Sequence, residues 1–428
     1  MASTGSFKVK AIAVLVLALF SCLANGALSH TAVGLRNRRA LGGTSGAAVT
    51  VFDVTEHGAK ADDKTNNAMP LIQTWKAACE STAPAKVVIP DGTFLTGPTV
   101  FQGPCAGPVI FEVQGYVKAS TDLSEYTSPL SEYTSPEWMT FESIDGLTLT
   151  GKGTFDGQGP VVWQYNDCKS NEDCQKLPAS LRFHKVTNSE VSKITSLNSM
   201  FFHYHVVKCQ NVAFHHLTIT APDESPNTDG IHISGSSSIS LTDSMIGTGD
   251  DCVSIGDGTT NLTVSKVTCG PGHGISVGSL GKYPNEDDVN GITVINCTFS
   301  KTTNGARIKT YSDSGPSNAF GIVYQDIIMN DVKNPIIIDQ KYGIEDKEAQ
   351  PSNSKVKVSD VHFRNIKGTS VSAVAVDLQC SSSFPCEGVE LSDIDLTYIG
   401  DKPSTESASC SNAKVTCGGK QNPAITCT

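Results

Sequence analysis

Short segments with apolar residues at every second position recur along the chain: Asn211-Val-Ala-Phe, Ser238-Ile-Ser-Leu, Asn261-Leu-Thr-Val, Gly291-Ile-Thr-Val, Gly321-Ile-Val-Tyr and Lys355-Val-Lys-Val, each beginning 23 to 34 residues after the last. A period of two is the pattern of a strand with one face buried. Between them lies a second set, Gly230-Ile-His-Ile, Cys252-Val-Ser-Ile, Gly274-Ile-Ser-Val and Gly305-Ala-Arg-Ile, each preceded by a turn rich in Gly, Asn or Asp. A sandwich or barrel would join such strands through two-residue hairpin turns, and few occur here. Two or three strands per repeat without hairpins predict an all-β chain wound as a right-handed parallel β-helix. In such a solenoid, inward Ile, Val and Leu form ladders at a spacing of roughly 4.8 Å.

Ahead of these repeats, the stretch from Lys64 to Cys79 sets Ala68, Leu71, Ile72, Trp75 and Ala78 on one helical face. A helix there would cap the first turn of the solenoid, whose strand edges and core side chains would otherwise meet water. Tandem copies of Ser-Glu-Tyr-Thr-Ser-Pro begin at Ser124 and Ser131 and are read as an extended surface loop, because Pro129 and Pro136 interrupt regular structure.

Composition agrees with a turn-rich β protein: 18% charged residues, 7% aromatic residues and 38 glycines in 428. Lys8 and Lys10, the apolar run from Ala11 to Leu23, and Ala24-Asn25-Gly26 form the pattern of a secretory signal peptide, with cleavage expected after Gly26. The run of about thirteen apolar residues is shorter than the about 20 that a membrane helix needs, so no membrane span is expected. Residues 27–50, with Arg36, Arg38 and Arg39, are read as a flexible leader or propeptide, and residues 51–428 as one solenoid domain.

The 32 basic and 43 acidic residues give a formal charge of -11, which argues against nucleic acid as a partner. The same charge would repel an acidic polymer, so a site for one must carry local positive charge. Of the 14 cysteines, Cys22 would leave with the signal peptide. The remainder in an exported chain imply several disulfides and one odd thiol. Short loops favour Cys252 with Cys269, Cys380 with Cys386, Cys417 with Cys427, and Cys168 with Cys174. No paired Cys-x-x-Cys motifs point to zinc. Asn261 and Asn296 head Asn-x-Thr sequons and are glycosylation candidates.

The chemistry-bearing residues gather between Asn227 and Lys309: Asn227-Thr-Asp-Gly, Gly249-Asp-Asp-Cys, Gly272-His-Gly and Arg307-Ile-Lys. Aligned on the strands that follow, Asp229, Asp251 and His273 fall in one slot, and Asn304 takes the same slot one turn later. Arg307 and Lys309 alternate with Ile308, so both leave the core face that Ile308 occupies. Hydrolysis of a glycosidic bond needs one protonated carboxyl and one ionised carboxylate, and mutual repulsion among the aspartates should raise the pKa of at least one. Three aspartates and a histidine could also hold a divalent metal. The adjacent basic pair weighs against that reading, and no cofactor is expected.

These four motifs, in this order, resemble those of glycoside hydrolase family 28, the polygalacturonases. Val51-Phe-Asp-Val with Gly58-Ala-Lys, and Gly151-Lys-Gly-Thr-Phe-Asp-Gly-Gln-Gly, extend the resemblance from about Val51 to the C-terminus, in a style similar to the exopolygalacturonases of plant pollen. The resemblance implies a secreted, monomeric wall enzyme that hydrolyses the α-1,4 bonds of pectin with inversion, acting from chain ends and releasing galacturonic acid. It implies Asp250 as general acid, Asp229 and Asp251 as holders of the attacking water, and His273 as the residue sustaining the acid's protonation. Asn227, Arg307, Lys309 and Tyr342 would bind substrate. The spacing alone leaves the stereochemistry open, because stacked turns lie roughly 4.8 Å apart whereas inverting carboxyls usually stand about 6.5–9.5 Å apart. An endo-acting hydrolase, a relative acting on rhamnogalacturonan or xylogalacturonan, a calcium-dependent pectate lyase and a non-catalytic pectin-binding wall protein are the competing readings.

Overall fold

The computed structural model describes residues 48–427 apart from 127–135, 168–170, 172–173, 175 and 345–351. The expected signal peptide, nearly all of the leader, most of the tandem Ser-Glu-Tyr-Thr-Ser-Pro segment, and Cys168 lie outside the described residues. Among the described residues no helix is long and apolar enough to cross a membrane.

The strands pair in parallel with the turn before and the turn after, and the chain winds as a right-handed parallel β-helix. One wall is an 11-stranded sheet that runs from Thr99–Gln102 to Ser407–Ser411. The second repeat set forms the middle of this wall, with Ile231, Val253, Ile275, Ala306 and Ile336 aligned in one file. All five are fully buried. Aromatic rings continue the ladder toward the N-terminal end: Phe141 stacks on Phe183 at 5.3 Å and Phe183 on Tyr204 at 6.3 Å. Burial of each large apolar side chain stabilises the fold by about 1.5–3 kcal/mol, and since each contacts mainly its neighbours above and below, stability is shared along the file.

The first repeat set forms another wall, with Val212, Ile239, Leu262, Ile292 and Ile322 in register. Just before these residues the backbone turns a corner in the left-handed conformation at Asn211, Ser238, Asn261, Gly291 and Gly321. Asn, Ser and Gly serve there because a short polar side chain, or none, tolerates positive φ. Ile322 pairs next with Val361, so the following equivalent corner is Asp360 and the equivalent segment is Asp360-Val-His-Phe. Lys355-Val-Lys-Val, expected in that place, begins near the start of the 15-residue strand Val356–Ser370 instead. Alternation along a strand this long does not specify register, and the left-handed corner does.

The capping helix spans Ala68–Cys79 and buries Leu71, Ile72, Trp75 and Ala78. Trp75 meets Phe101, Phe111 and Phe141 with ring centroids at 5.5, 6.2 and 6.4 Å, which closes the apolar end. Residues 64–67, expected to be helical, are not. Asp62–Asn66 is a strand, and the buried Asn67 amide donates to the carbonyl oxygens of Lys60, Thr65 and Leu95. An asparagine so committed to the loop starts the helix after itself.

Disulfides Cys252–Cys269 and Cys380–Cys386 form as expected. Cys174 is also disulfide-bonded. Cys427 pairs with Cys410 rather than Cys417, which is an exposed free thiol. Cys79–Cys105, which ties the capping helix to the loop after Gln102, was not anticipated. Cys209 and Cys297 are free and buried, so more than one thiol is unpaired. The expected single odd cysteine is corrected because two thiols fill small core sites, where cysteine behaves as an apolar side chain.

Candidate active site

The register Ile231, Val253, Ile275, Ala306 places Asp229, Asp251, His273 and Asn304 in one file, two residues ahead of the strands. Backbone bonds hold the file: Gly230 N–H donates to the Asp251 carbonyl at 2.9 Å and Cys252 N–H to the Gly274 carbonyl at 2.8 Å. The Cys252–Cys269 bridge fastens the turn immediately after Asp251. Gly249 is required before the aspartate pair, since a Cβ there would lie 2.0 Å from the Ser225 carbonyl oxygen.

Asp250 occupies the turn between Gly249 and the file. Its Oδ1 accepts from the Asp251 N–H at 2.8 Å and approaches His273 Nδ1 at 2.9 Å. Among the described residues its Oδ2 has only a long 3.3 Å bond, from the Asn227 amide, so this oxygen keeps lone-pair capacity. Asn227 stands in a left-handed turn, and Asn166 donates to its side-chain oxygen at 3.1 Å. The side chains of Asp250 and His273 are 18% and 39% exposed, against 1% for Asp251.

Arg307 and Lys309 stand off the core face beside the buried Ile308, as their alternation predicts, yet both are largely covered. Arg307 donates to Oδ1 of Asp251 at 2.6 Å and Lys309 to Oδ2 at 2.8 Å. In the free protein these cations are therefore not simply open to a ligand. Stacking brings both cations beside a carboxylate on an earlier turn, so that Asp251 is held by two positive groups at once. Lys309 Nζ also lies 5.2 Å from the Tyr342 ring centre, and Tyr342 meets Tyr311 edge-on at 5.2 Å.

Burial and charge separate the carboxyls. Loss of water, reinforced by the charges of Asp250 and Asp251, pushes the Asp229 carboxyl well above the ordinary range. Burial acts on Asp251 in the same sense but is overcome by Arg307 and Lys309, which hold its carboxyl below the usual value. The surroundings thus favour a proton on Asp229 and a charge on Asp251, and glycosidic hydrolysis calls for carboxyls separated in this sense. Asp250, Asp251 and His273 could also approach a metal, with candidate ligand atoms within 4.8 Å of one another. Both Asp251 oxygens, however, already accept from cations.

Several participants carried no motif. Ser276 donates to Asp251 at 2.9 Å and accepts from Arg307 Nε at 2.7 Å. Ser254 bonds His232 Nδ1 at 2.8 Å, and its hydroxyl tempers the rise of the neighbouring Asp229 carboxyl. His232 is half-buried, and loss of water around it, together with the nearby His205 and Lys309, lowers its pKa to about 3 and keeps it neutral. The signal available in the sequence was position: His232, Ser254, Ser276 and Arg307 follow one another in the outward slot of consecutive strands.

Residues 79–419 match glycosyl hydrolases family 28. The chain is 45% identical over 428 residues to an exopolygalacturonase of Arabidopsis thaliana, covering 98% of this chain and 96% of the relative. It is 45% identical over 380 residues to an exopolygalacturonase of Platanus acerifolia, covering 88% and 98%. Among solved structures, an endo-xylogalacturonan hydrolase from Aspergillus tubingensis superimposes with a TM-score of 0.72 at 25% identity, covering 87% of this chain and 99% of that one. An exopolygalacturonase from Thermotoga maritima gives 0.71 at 17% identity, covering 87% and 91%, a likeness of fold alone. With its family match over most of its length and near-complete relatives at this identity, the chain belongs to glycosyl hydrolase family 28.

Proposed function

We propose that this protein is an exopolygalacturonase that hydrolyses the α-1,4 bonds of pectic galacturonan with inversion and releases galacturonic acid. The observation that carries this reading is the file of Asp229, Asp251 and His273, with Asp250 at its side and two cations above it. Arg307 and Lys309, with Tyr342 and Asn227 beside them, take the carboxylate of a galacturonate unit, the local positive charge that an acidic protein needs to hold an acidic polymer. The incoming carboxylate competes with Asp251 for these cations and so frees an Asp251 oxygen to orient water.

As the sugar displaces solvent, Asp229 passes its proton to Asp250, whose Oδ2 has room for it and whose other oxygen is fixed by His273. Asp250 then protonates the leaving glycosidic oxygen while water attacks the anomeric carbon from the opposite face. The C–O bond to the leaving sugar breaks, a new C–O bond forms, and the proton of the water goes to Asp229. The starting arrangement is thereby restored.

Export to the plant cell wall, action as a monomer, and glycosylation belong to the same reading. Asn261 and Asn296 are exposed and stand at left-handed corners, where a glycan would project away from the sheets. Early digestion of polygalacturonate followed by separation and NMR of the products tests the reading. Galacturonic acid as sole early product, released first as the β anomer, is expected. A spread of oligomers would mean endo attack, an α anomer would mean retention, and unsaturated products lost with chelator would mean a lyase.

A further inference from the structure

The file that holds the aspartates does not begin with Asp229. Tyr204 pairs with Ile231, so the residue two positions ahead of Tyr204, Phe202, occupies the Asp229 slot one turn earlier. A backbone bond from His203 N–H to the Asp229 carbonyl at 2.8 Å joins the two turns. Successive turns are roughly 4.8 Å apart. A half-buried aromatic ring therefore stands one step beyond the carboxylates, where the file turns from polar to apolar.

The ring is held from three sides. It stacks on His232 with centroids at 4.8 Å and an interplanar angle of 21°, meets His205 edge-on at 5.6 Å, and lies against Phe201 at 4.2 Å. His232 in turn bonds Ser254, which neighbours Asp229. The other side of the aspartates is different. Beyond Arg307 and Lys309 lies a cleft of about 370 Å³ lined by Lys282, Tyr311, Ser312, Tyr342 and Asn353. One flank of the site thus carries a fixed aromatic cluster, and the other opens to a polar cleft that can accept a polymer.

We propose that Phe202 is the end wall of the binding cleft, the residue against which the terminal sugar of a galacturonan chain stops, and that it thereby restricts attack to chain ends. The proposal rests on the polygalacturonase reading above. A wall one turn past the carboxylates leaves space for about one pyranose ring beyond the bond to be broken, and the half-buried edge of the Phe202 ring, clamped between His232 and Phe201, is the apolar surface that the sugar meets. Its neighbour His232 is neutral and adds no charge to repel or attract.

The test is the product spectrum of Phe202→Ala and Phe202→Leu on polygalacturonate, with the ratio of oligomers to monomer read at low conversion. Wild-type protein should release monomer alone. Both variants should release a mixture containing dimers and longer oligomers, and should lower solution viscosity several-fold more per bond broken. This readout does not move with a merely structural loss of activity, which lowers yield and leaves the spectrum unchanged. Monomer alone from an active variant would overturn the proposal. So would inactivity of both variants with melting temperatures like that of wild type, since a wall takes no part in the chemistry. Oligomers from wild-type protein would overturn the exo reading beneath it.

Discussion

Two files of residues run along this solenoid, each receiving one residue per turn. At the corner before one wall stand Asn211, Ser238, Asn261, Gly291, Gly321, Asp360 and Gly388, all with positive φ. Ahead of the other wall stand Phe202, Asp229, Asp251, His273 and Asn304. The corner file solves the same conformational problem on each turn, so its members are nearly interchangeable. The second file changes chemistry at every step while keeping its register. Stacking is indifferent to what a file is for, and the repeated geometry filled with unlike side chains is where we place the chemistry of this solenoid.

The largest effect on stability that would sharpen this contrast is expected from Asp251→Asn. It leaves the covered Arg307 and Lys309 without their shared anion, and breaking a buried ion pair costs about 3–5 kcal/mol. Urea unfolding should show this loss, and a change below about 1 kcal/mol would mean that the pair is not coupled to the fold.

A second difference lies in pH dependence. An unfolded aspartate ionises near 3.8, but folded Asp229 keeps its proton well above that value. Between those two points the folded state binds more protons, so the Asp229 contribution to stability falls as pH rises. Asp251 acts in the opposite sense, because its lowered pKa gives a contribution present above 3.8 and lost as pH falls through the folded value. Thermal unfolding of Asp229→Asn between about pH 4 and 7 should therefore lack the decline that the wild-type carboxyl causes. An unchanged slope would remove Asp229 as the protonated group.

The smallest effect belongs to the corner file. At Gly388, φ is 63° and an added Cβ would meet only ordinary contacts, at 3.4 Å from the nearest atom. Gly388→Asn should change stability by about 1 kcal/mol or less and leave galacturonan hydrolysis unchanged. A collapse of the fold or of activity, read by melting temperature and reducing-sugar release, would break the distinction between the two files.

Much of this was legible in the sequence for a physical reason. Alternation marks strands, turn residues punctuate them, and the equal steps from Asp229 to Asp251 to His273 place three ionisable side chains in one file. What escaped were properties that depend on neighbours from other turns. The pairing of Asp251 with Arg307 and Lys309 joins residues 56 and 58 positions apart. Ser254, Ser276 and His232 look like ordinary strand residues until the turns are stacked. The Lys355 register was misread because a long strand alternates throughout, and Cys417 because short separation is a weak guide where another cysteine, Cys410, lies on the adjoining turn.

Asp250, brought beside the file by the turn at Gly249, is the group we propose to deliver the proton that releases the leaving sugar. Reducing-sugar release from polygalacturonate by purified Asp250→Asn tests it most directly, alongside a melting temperature that confirms the fold. Loss of a general acid should lower kcat by about 10²–10⁴-fold with the melting temperature nearly unchanged. Retention of full hydrolysis by a folded Asp250→Asn protein would contradict the account.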